Sequence, residues 1–222
     1  MKLNYILTLF ISFAFLTATI AQDNQNEYKT LFKKDDTKQT TNGGYGSFGF
    51  GYTQIDGKDA LQFSGRAAWI VNHHLALGIA GRSFFNNLKK TDEIGDYYMA
   101  GGYGGIFIEP IIAPNSPVHV TFPILFGVGG VAAKHGNVWD EQYWDDNYYD
   151  TDVYLVFEPG AEVEFNITSF FRLSLGGSYR LTNGVDLQYK YYSNGDYQEP
   201  IVVSKNALDA FNFNINFKFG WF

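Results

Sequence analysis

Large apolar residues recur at every second position of the last stretch of the chain, Ala210 to Phe222. Phe211, Phe213, Ile215, Phe217, Phe219 and Trp221 alternate with Asn212, Asn214, Asn216, Lys218 and Gly220. A period of two puts the two sets on opposite faces of a β-strand, whereas a helical turn of 3.6 residues would scatter the asparagines round the surface. One face is apolar and one polar over about ten residues, the length at which a tilted strand crosses a bilayer.

The same alternation divides the chain from Gly43 onward into eight strands. The first, about 44–54, carries Phe48, Phe50 and Tyr52 on one face, and Asp56-Gly57 follows as a tight-turn signal. The second, about 60–71, puts Leu61, Phe63, Ala67, Trp69 and Val71 outward and Gln62, Ser64 and Arg66 inward; Asn72-His73-His74 turns the chain. The third, about 75–85, has Leu75, Leu77 and Ile79 out and Gly78, Ala80 and Arg82 in. The fourth, about 96–109, is apolar or small on both faces, so its phase stays open. The fifth, about 118–132, puts Val118, Val120, Phe122, Ile124, Phe126 and Val128 outward; Pro123 removes a ladder hydrogen bond, and a bulge is expected there. The sixth, about 152–165, has Val153, Leu155, Phe157, Ala161, Val163 and Phe165 out and Glu158, Glu162 and Glu164 in. The seventh, about 170–181, has Phe171, Leu173, Leu175, Tyr179 and Leu181 out and Arg172, Ser174 and Arg180 in. The stretch 210–222 is the eighth.

Connections alternate in length. The second, fourth and sixth (72–74, 110–117, 166–169) are short, and the long ones (133–151 and 182–206) are odd-numbered. Short turns on one side and long loops on the other are the habit of transmembrane barrels. A soluble barrel would carry its apolar residues inside; here the charged side also carries Gly, Ser and Ala, as a narrow interior requires. The expected fold is all-β: an eight-stranded antiparallel transmembrane up-and-down β-barrel.

On these residues the chain resembles, over about 43–222, the small Gram-negative outer-membrane β-barrels of the OmpA/OmpX and opacity type. The closing strand of that family usually ends on an aromatic residue, most often Phe, as Phe222 does here; one departure is that Trp221, not Phe222, holds the phase of the apolar face. The resemblance implies an outer-membrane location, contact with outer-membrane lipid and the assembly machinery, a monomeric state, and roles in envelope integrity, adhesion or surface recognition. A barrel-embedded enzyme of the lipid-A-modifying type and a narrow small-solute channel are the alternative readings.

Composition agrees with the strand count: 18% of residues are aromatic, with 24 Gly and no Cys. Lack of cysteine excludes disulfides, thiol catalysis and lipid attachment through Cys. A formal charge of −7 argues against nucleic acid as a partner. Residues 1–21 read as a signal peptide: Lys2, an apolar run from Tyr5 to Ala18, and small residues in Thr19-Ile20-Ala21 before Gln22. Residues 22–42 are polar, without a period, and are expected to form a flexible periplasmic leader.

The chemistry divides between interior and loops. Arg66, Arg82, Arg172 and Arg180 are the only arginines, and on the assigned phases they point inward with Glu158, Glu162, Glu164 and Lys218. An isolated buried charge is costly, so charges buried together are expected to pair. The expectation is a packed polar plug; a charged ion path is the functional alternative. Gly101-Gly102-Tyr103-Gly104-Gly105 and Gly127-Val128-Gly129-Gly130 lack the helix N-terminus that a phosphate loop needs, and are expected to relieve crowding beneath aromatic rings.

The loop around 139–152 is acidic and aromatic: Trp139, Asp140, Glu141, Tyr143, Trp144, Asp145, Asp146, Tyr148, Tyr149 and Asp150 make it a candidate binding surface. A solvated loop, a partner or glycan surface and a divalent-cation site are all compatible with it, although its spacing does not match a calcium loop. Loop 182–206 adds Tyr189, Tyr191, Tyr192 and Tyr197. Among the histidines, His73, His74 and His119 fall on the periplasmic side, and only His135 falls outside, where Ser193 or Ser204 offers a nucleophile for the enzyme reading. Nothing in the spacing demands catalysis, and no cofactor is expected. Asn166-Ile167-Thr168 matches a glycosylation triplet within a tight turn.

Overall fold

The computed structural model describes residues 42–88, 97–135, 148–188, 191–193, 196–198 and 201–222. The segments 1–21 and 22–42 expected as signal and leader thus lie outside the described residues, apart from Asn42. Eleven strands form: β1 (Asn42–Ile55), β2 (Lys58–Val71), β3 (Leu75–Leu88), β4 (Tyr97–Ile112), β5 (Val118–Thr121), β6 (Ile124–His135), β7 (Tyr148–Asn166), β8 (Phe171–Thr182), β9 (Tyr191–Ser193), β10 (Asp196–Gln198) and β11 (Ala210–Trp221).

Nine of them make one antiparallel sheet, with β9 and β10 forming a separate hairpin. β5 and β6 are two halves of one stave, broken at Phe122-Pro123, and both pair with β4 and β7. Proline has no N–H for the ladder, and its carbonyl instead accepts from Gly160 N at 2.8 Å. Eight staves therefore follow one another round the sheet. β1 pairs with β2 on one side and with β11 on the other, so the ring closes and no edge is left unpaired.

The register fixes the shape. Followed one way from Ser47, through Lys218 and Arg172, the same level meets β7 at Asn166. Followed the other way, through Arg66, Ala80, Gly105 and Gly127, it meets β7 at Val156. That ten-residue offset is the shear of the barrel. With eight staves about 4.8 Å apart and a rise of about 3.3 Å per residue, it gives a tilt of about 41° and a backbone radius of about 8 Å. Such a bore is filled by side chains.

Side chains take the phases set by alternation. Phe48, Phe50, Leu61, Phe63, Trp69, Ile79, Phe126, Val128, Leu155, Phe211 and Phe213 are all exposed on the outer face, and Val153 and Trp221 reach 74% and 77% exposure. A continuous apolar exterior of this size is the surface a barrel presents to hydrocarbon. The open phase of β4 resolves with odd-numbered residues inward: Tyr97, Met99, Tyr103, Phe107, Glu109 and Ile111 are buried, and Ile106 and Ile108 face out.

At the outer end the segment expected as loop 182–206 does more than connect. Val185, Leu187, Val202, Val203, Ala207 and Leu208 are buried and cap the barrel mouth. Backbone bonds hold the cap together: Val202 N donates to Leu187 O at 2.8 Å, Val185 N to Lys205 O at 3.0 Å, and Asp56 N to Ala207 O at 2.7 Å. Asp56 and Gly57 sit at φ 50° and 71°, the left-handed pair that a two-residue hairpin requires.

Candidate functional site

All eight interior charges named from the sequence project into the bore with Asn212 and Asn216 of the closing strand's polar face, and the structure adds Glu109, His119 and Tyr45 to them. Glu109 is the only charged residue of β4. An acid in the middle of an apolar strand has to face the polar interior, so its charge is the signal that would have set the phase of that strand.

The lower tier, toward the 72–74 and 166–170 turns, is built round Lys218. Its Nζ lies 3.0 Å from Glu109 Oε1 and 3.5 Å from Glu162 Oε2, and it also bonds Glu164 Oε1. Arg66 bridges Glu109 at 3.3 Å and Glu162 at 2.5 Å. Arg172 Nη1 reaches Glu164 Oε2 at 3.2 Å, and His119 Nε2 meets the same oxygen at 3.1 Å. Arg172 is level with Asn166 on β7, so Glu164 is its diagonal neighbour, within reach of a long side chain. Neutral donors complete the shell: Tyr45 Oη donates to Glu109 at 3.1 Å, Ser174 Oγ to Glu162 at 2.6 Å and Asn216 Nδ2 to Glu162 at 3.3 Å. Three carboxylates thus face three cations, plus His119.

Oxygens of Glu109, Glu162 and Glu164 all lie within 4.8 Å of one another, close enough to ligate one metal ion. The Lys218 ammonium already stands among them and takes the place of a cation. These residues do not fit a metal in addition.

The upper tier centres on Glu158. It accepts from Arg82 Nη2 at 3.0 Å, Tyr103 Oη at 2.6 Å and Asn212 Nδ2 at 3.1 Å, and from Ser178 Oγ. Arg180 departs from the expectation of mutual pairing. Among the described residues it makes no ion pair; its Nε donates to Leu208 O at 2.5 Å and its Nη2 to Gln54 O at 3.1 Å. Its guanidinium lies over Phe84 and Tyr103, 4.9 and 5.7 Å from the ring centroids. The reason is competition: the pairs Phe157–Leu181 and Gly160–Ser178 bring Arg180 opposite Glu158, but Arg82, Tyr103, Ser178 and Asn212 already occupy that carboxylate, and the guanidinium turns to the carbonyls of Leu208 and Gln54. Room for the aromatic rings comes from Gly129, which lies between Tyr103 and Tyr154 in the register.

Of the loop candidates, Trp139, Asp140, Glu141, Tyr143, Trp144, Asp145 and Asp146 lie outside the described residues, as do the side chains of Tyr148, Tyr149 and His135. Asp150 is described, on β7. Its Oδ2 accepts from Gln188 N at 3.0 Å and so ties the cap to the barrel wall. Asp152 does the same for Asp186 N at 2.7 Å. Ser204 Oγ donates to Asp56 Oδ1 at 3.2 Å, which joins the cap to the first hairpin. These polar groups hold the cap in place.

No family model matches the chain, and no curated protein is detectably similar in sequence. Solved structures with a related arrangement of strands do exist. One is Ail, the attachment invasion locus protein of Yersinia pestis, solved in complex with the heparin analogue sucrose octasulfate: 12% identity, 82% of this chain and 100% of that chain covered, TM-score 0.47. A second is Neisserial surface protein A, at 12% identity, 81% and 97% coverage and TM-score 0.47. A third is the N-terminal β-barrel domain of Pseudomonas aeruginosa OprF, at 9% identity, 82% and 98% coverage and TM-score 0.43.

Proposed function

We propose that this chain is an integral outer-membrane barrel whose bore is closed and whose work is done at its outer surface, as a recognition element or a structural element of the envelope. The observation that supports this reading is the filling of the bore from end to end. A lower tier of paired charges, an upper tier round Glu158 and an apolar cap follow one another, with Glu158, Arg180, Glu164 and Lys218 all at or below 2% exposure. A barrel whose described interior is filled in this way meets soluble partners at its two ends. The long acidic and aromatic connection between β6 and β7 is the part best composed for contact, with Trp139, Trp144 and Tyr143 as anchors and Asp140, Glu141, Asp145 and Asp146 to select a basic or cation-bearing surface. Residues 1–21 direct export and are removed, and residues 22–42 stay on the periplasmic side.

The test has two arms. Replacement of residues 136–147 by a short Gly-Ser link is expected to keep the barrel folded, seen as a shift in gel mobility on boiling, and to abolish binding of intact cells to glycan or protein arrays. Wild-type protein in planar bilayers is expected to carry little current. Large, reproducible conductance steps would replace this reading with that of a channel, and unchanged binding without the loop would remove the loop from it.

A further inference from the structure

The outer wall changes character along the seam where β1, β11 and β8 lie side by side. Its lower half is covered by stacked rings: the Phe217 centroid lies 5.3 Å from that of Phe48 and 6.4 Å from that of Phe171, and Phe219 lies 4.9 Å from Phe171. At its outer end Tyr179 and Phe211 meet edge to face at 4.7 Å. Between the two, the wall dips into a groove of about 570 Å³ walled by Phe50, Tyr52, Phe213 and Leu175. Ile215 lies deeper in it, 37% exposed against 59% for Phe213 and 66% for Phe211.

The dip follows from a missing side chain. Tyr52, Phe213, Gly177 and Ala161 stand level on β1, β11, β8 and β7, so two rings are followed by a glycine and an alanine. Gly177 points outward, in phase with Leu175 and Tyr179. The barrel does not demand a glycine there. The ladder to β11 runs through it in unbroken register, and a methyl group would meet Asn212 O at 3.5 Å and the Phe213 ring at 3.8 Å, which are ordinary contacts. Gly176 beside it is different: it faces inward, and a methyl group there would lie 2.4 Å from Ala161 O. A glycine inside a strand weakens the strand, and where no bulge or crowding requires it, it marks a close approach from outside.

The place of the groove sets its occupant. It opens to the exterior and is continuous with the apolar face that meets hydrocarbon, so hydrocarbon fills it. Phe213 and Ile215 stand two and four residues below Phe211, and eight and six above Trp221, on one face of β11; the groove is therefore in the outer half of the span. We propose that it seats one acyl chain of an outer-leaflet lipid, lying between the Phe50 and Phe213 rings and Leu175, with Gly177 as the notch that admits it. Lipid tails are as apolar as the wall, so the gain is in packing: a chain in the groove touches protein on three sides, whereas one on a flat wall touches it on one.

A photoreactive lipid is the probe. The full-length mature protein is folded into vesicles of palmitoyl-oleoyl-phosphatidylcholine doped with a phosphatidylcholine that carries a diazirine part-way along one chain. After illumination and digestion, mass spectrometry is expected to find residues 175–177 and 213–215 labelled several-fold more than the outward faces of β3 and β4. Gly177→Leu is expected to fold, with the same gel shift on boiling, and to lose that excess. Labelling spread evenly round the wall would mean bulk lipid alone and overturns the proposal, as does an excess that survives in Gly177→Leu. A Gly177→Leu chain unable to fold overturns it too, because the barrel would then need the glycine for itself.

Discussion

The guanidinium carbon of Arg172 lies over the ring of Phe222, 3.9 Å from its centroid, and Tyr45 stacks on the same ring at 6.0 Å. Phe222 is buried on the inner side, while its neighbour Trp221 faces out. The departure in phase visible in the sequence thus has a structural content: the last residue closes the lower end of the bore. Arg172 serves Glu164 there by charge and Phe222 by its ring. Phe222→Ala is expected to lower stability by about 3 kcal/mol, combining lost burial with a lost cation–π contact. Equilibrium unfolding in lipid vesicles measures it; no change would mean that the ring is dispensable there.

Glu109 is the acid shared by Lys218, Arg66 and Tyr45. Glu109→Gln is expected to cost about 3–5 kcal/mol, because it leaves buried cations undercompensated. Adding Lys218→Met should recover part of that loss. A double-mutant cycle measures the coupling, and additive effects would show that the pair does not act together.

The outer face is expected to tolerate no charge at mid-depth. Leu155 is exposed on the exterior of β7. Leu155→Arg should destabilise the barrel by about 2–4 kcal/mol in a bilayer, with a much smaller effect in detergent micelles. Equal effects in the two media would argue that Leu155 does not meet the hydrocarbon core.

Gly129 faces inward where the bore is most crowded. A methyl group there would lie 2.5 Å from Tyr154 Cζ and 2.7 Å from Tyr103 Cβ. Gly129→Ala is expected to displace the Tyr103 ring from Glu158 and to cost about 1–3 kcal/mol. Near-ultraviolet circular dichroism reports the tyrosines. An unaltered spectrum with unaltered stability would mean that the pocket has slack.

Strand identity, phase and connection order were legible because a two-residue period is a local property that closure of the barrel turns into inside and outside. The break at Pro123 was legible for the same reason, since a missing N–H is a fact of one residue. The bulge expected there does not form: the register to β4 and β7 runs unchanged across the break, and the shift falls at Ala133/Lys134 instead. The fourth strand was not, because Gly, Ala and Tyr suit either face; only Glu109 breaks the tie. The role of Arg180 was hidden because its acceptors, Leu208 O and Gln54 O, are main-chain groups that no pattern of side chains announces. The cap was hidden because it has no period, although Val185, Leu187, Val202 and Val203 in a supposed surface loop are apolar residues in need of a core.

Lys218 has a consequence in time as well as in space. It lies 109 residues beyond Glu109 and 54 beyond Glu164, on the last strand of the ring. Until β11 arrives, the three carboxylates of the lower bore have Arg66, Arg172 and His119 to answer them, and water must make up the difference. Contacts of such long sequence separation form late. The step that seals β11 against β1 is therefore the step that delivers the missing ammonium.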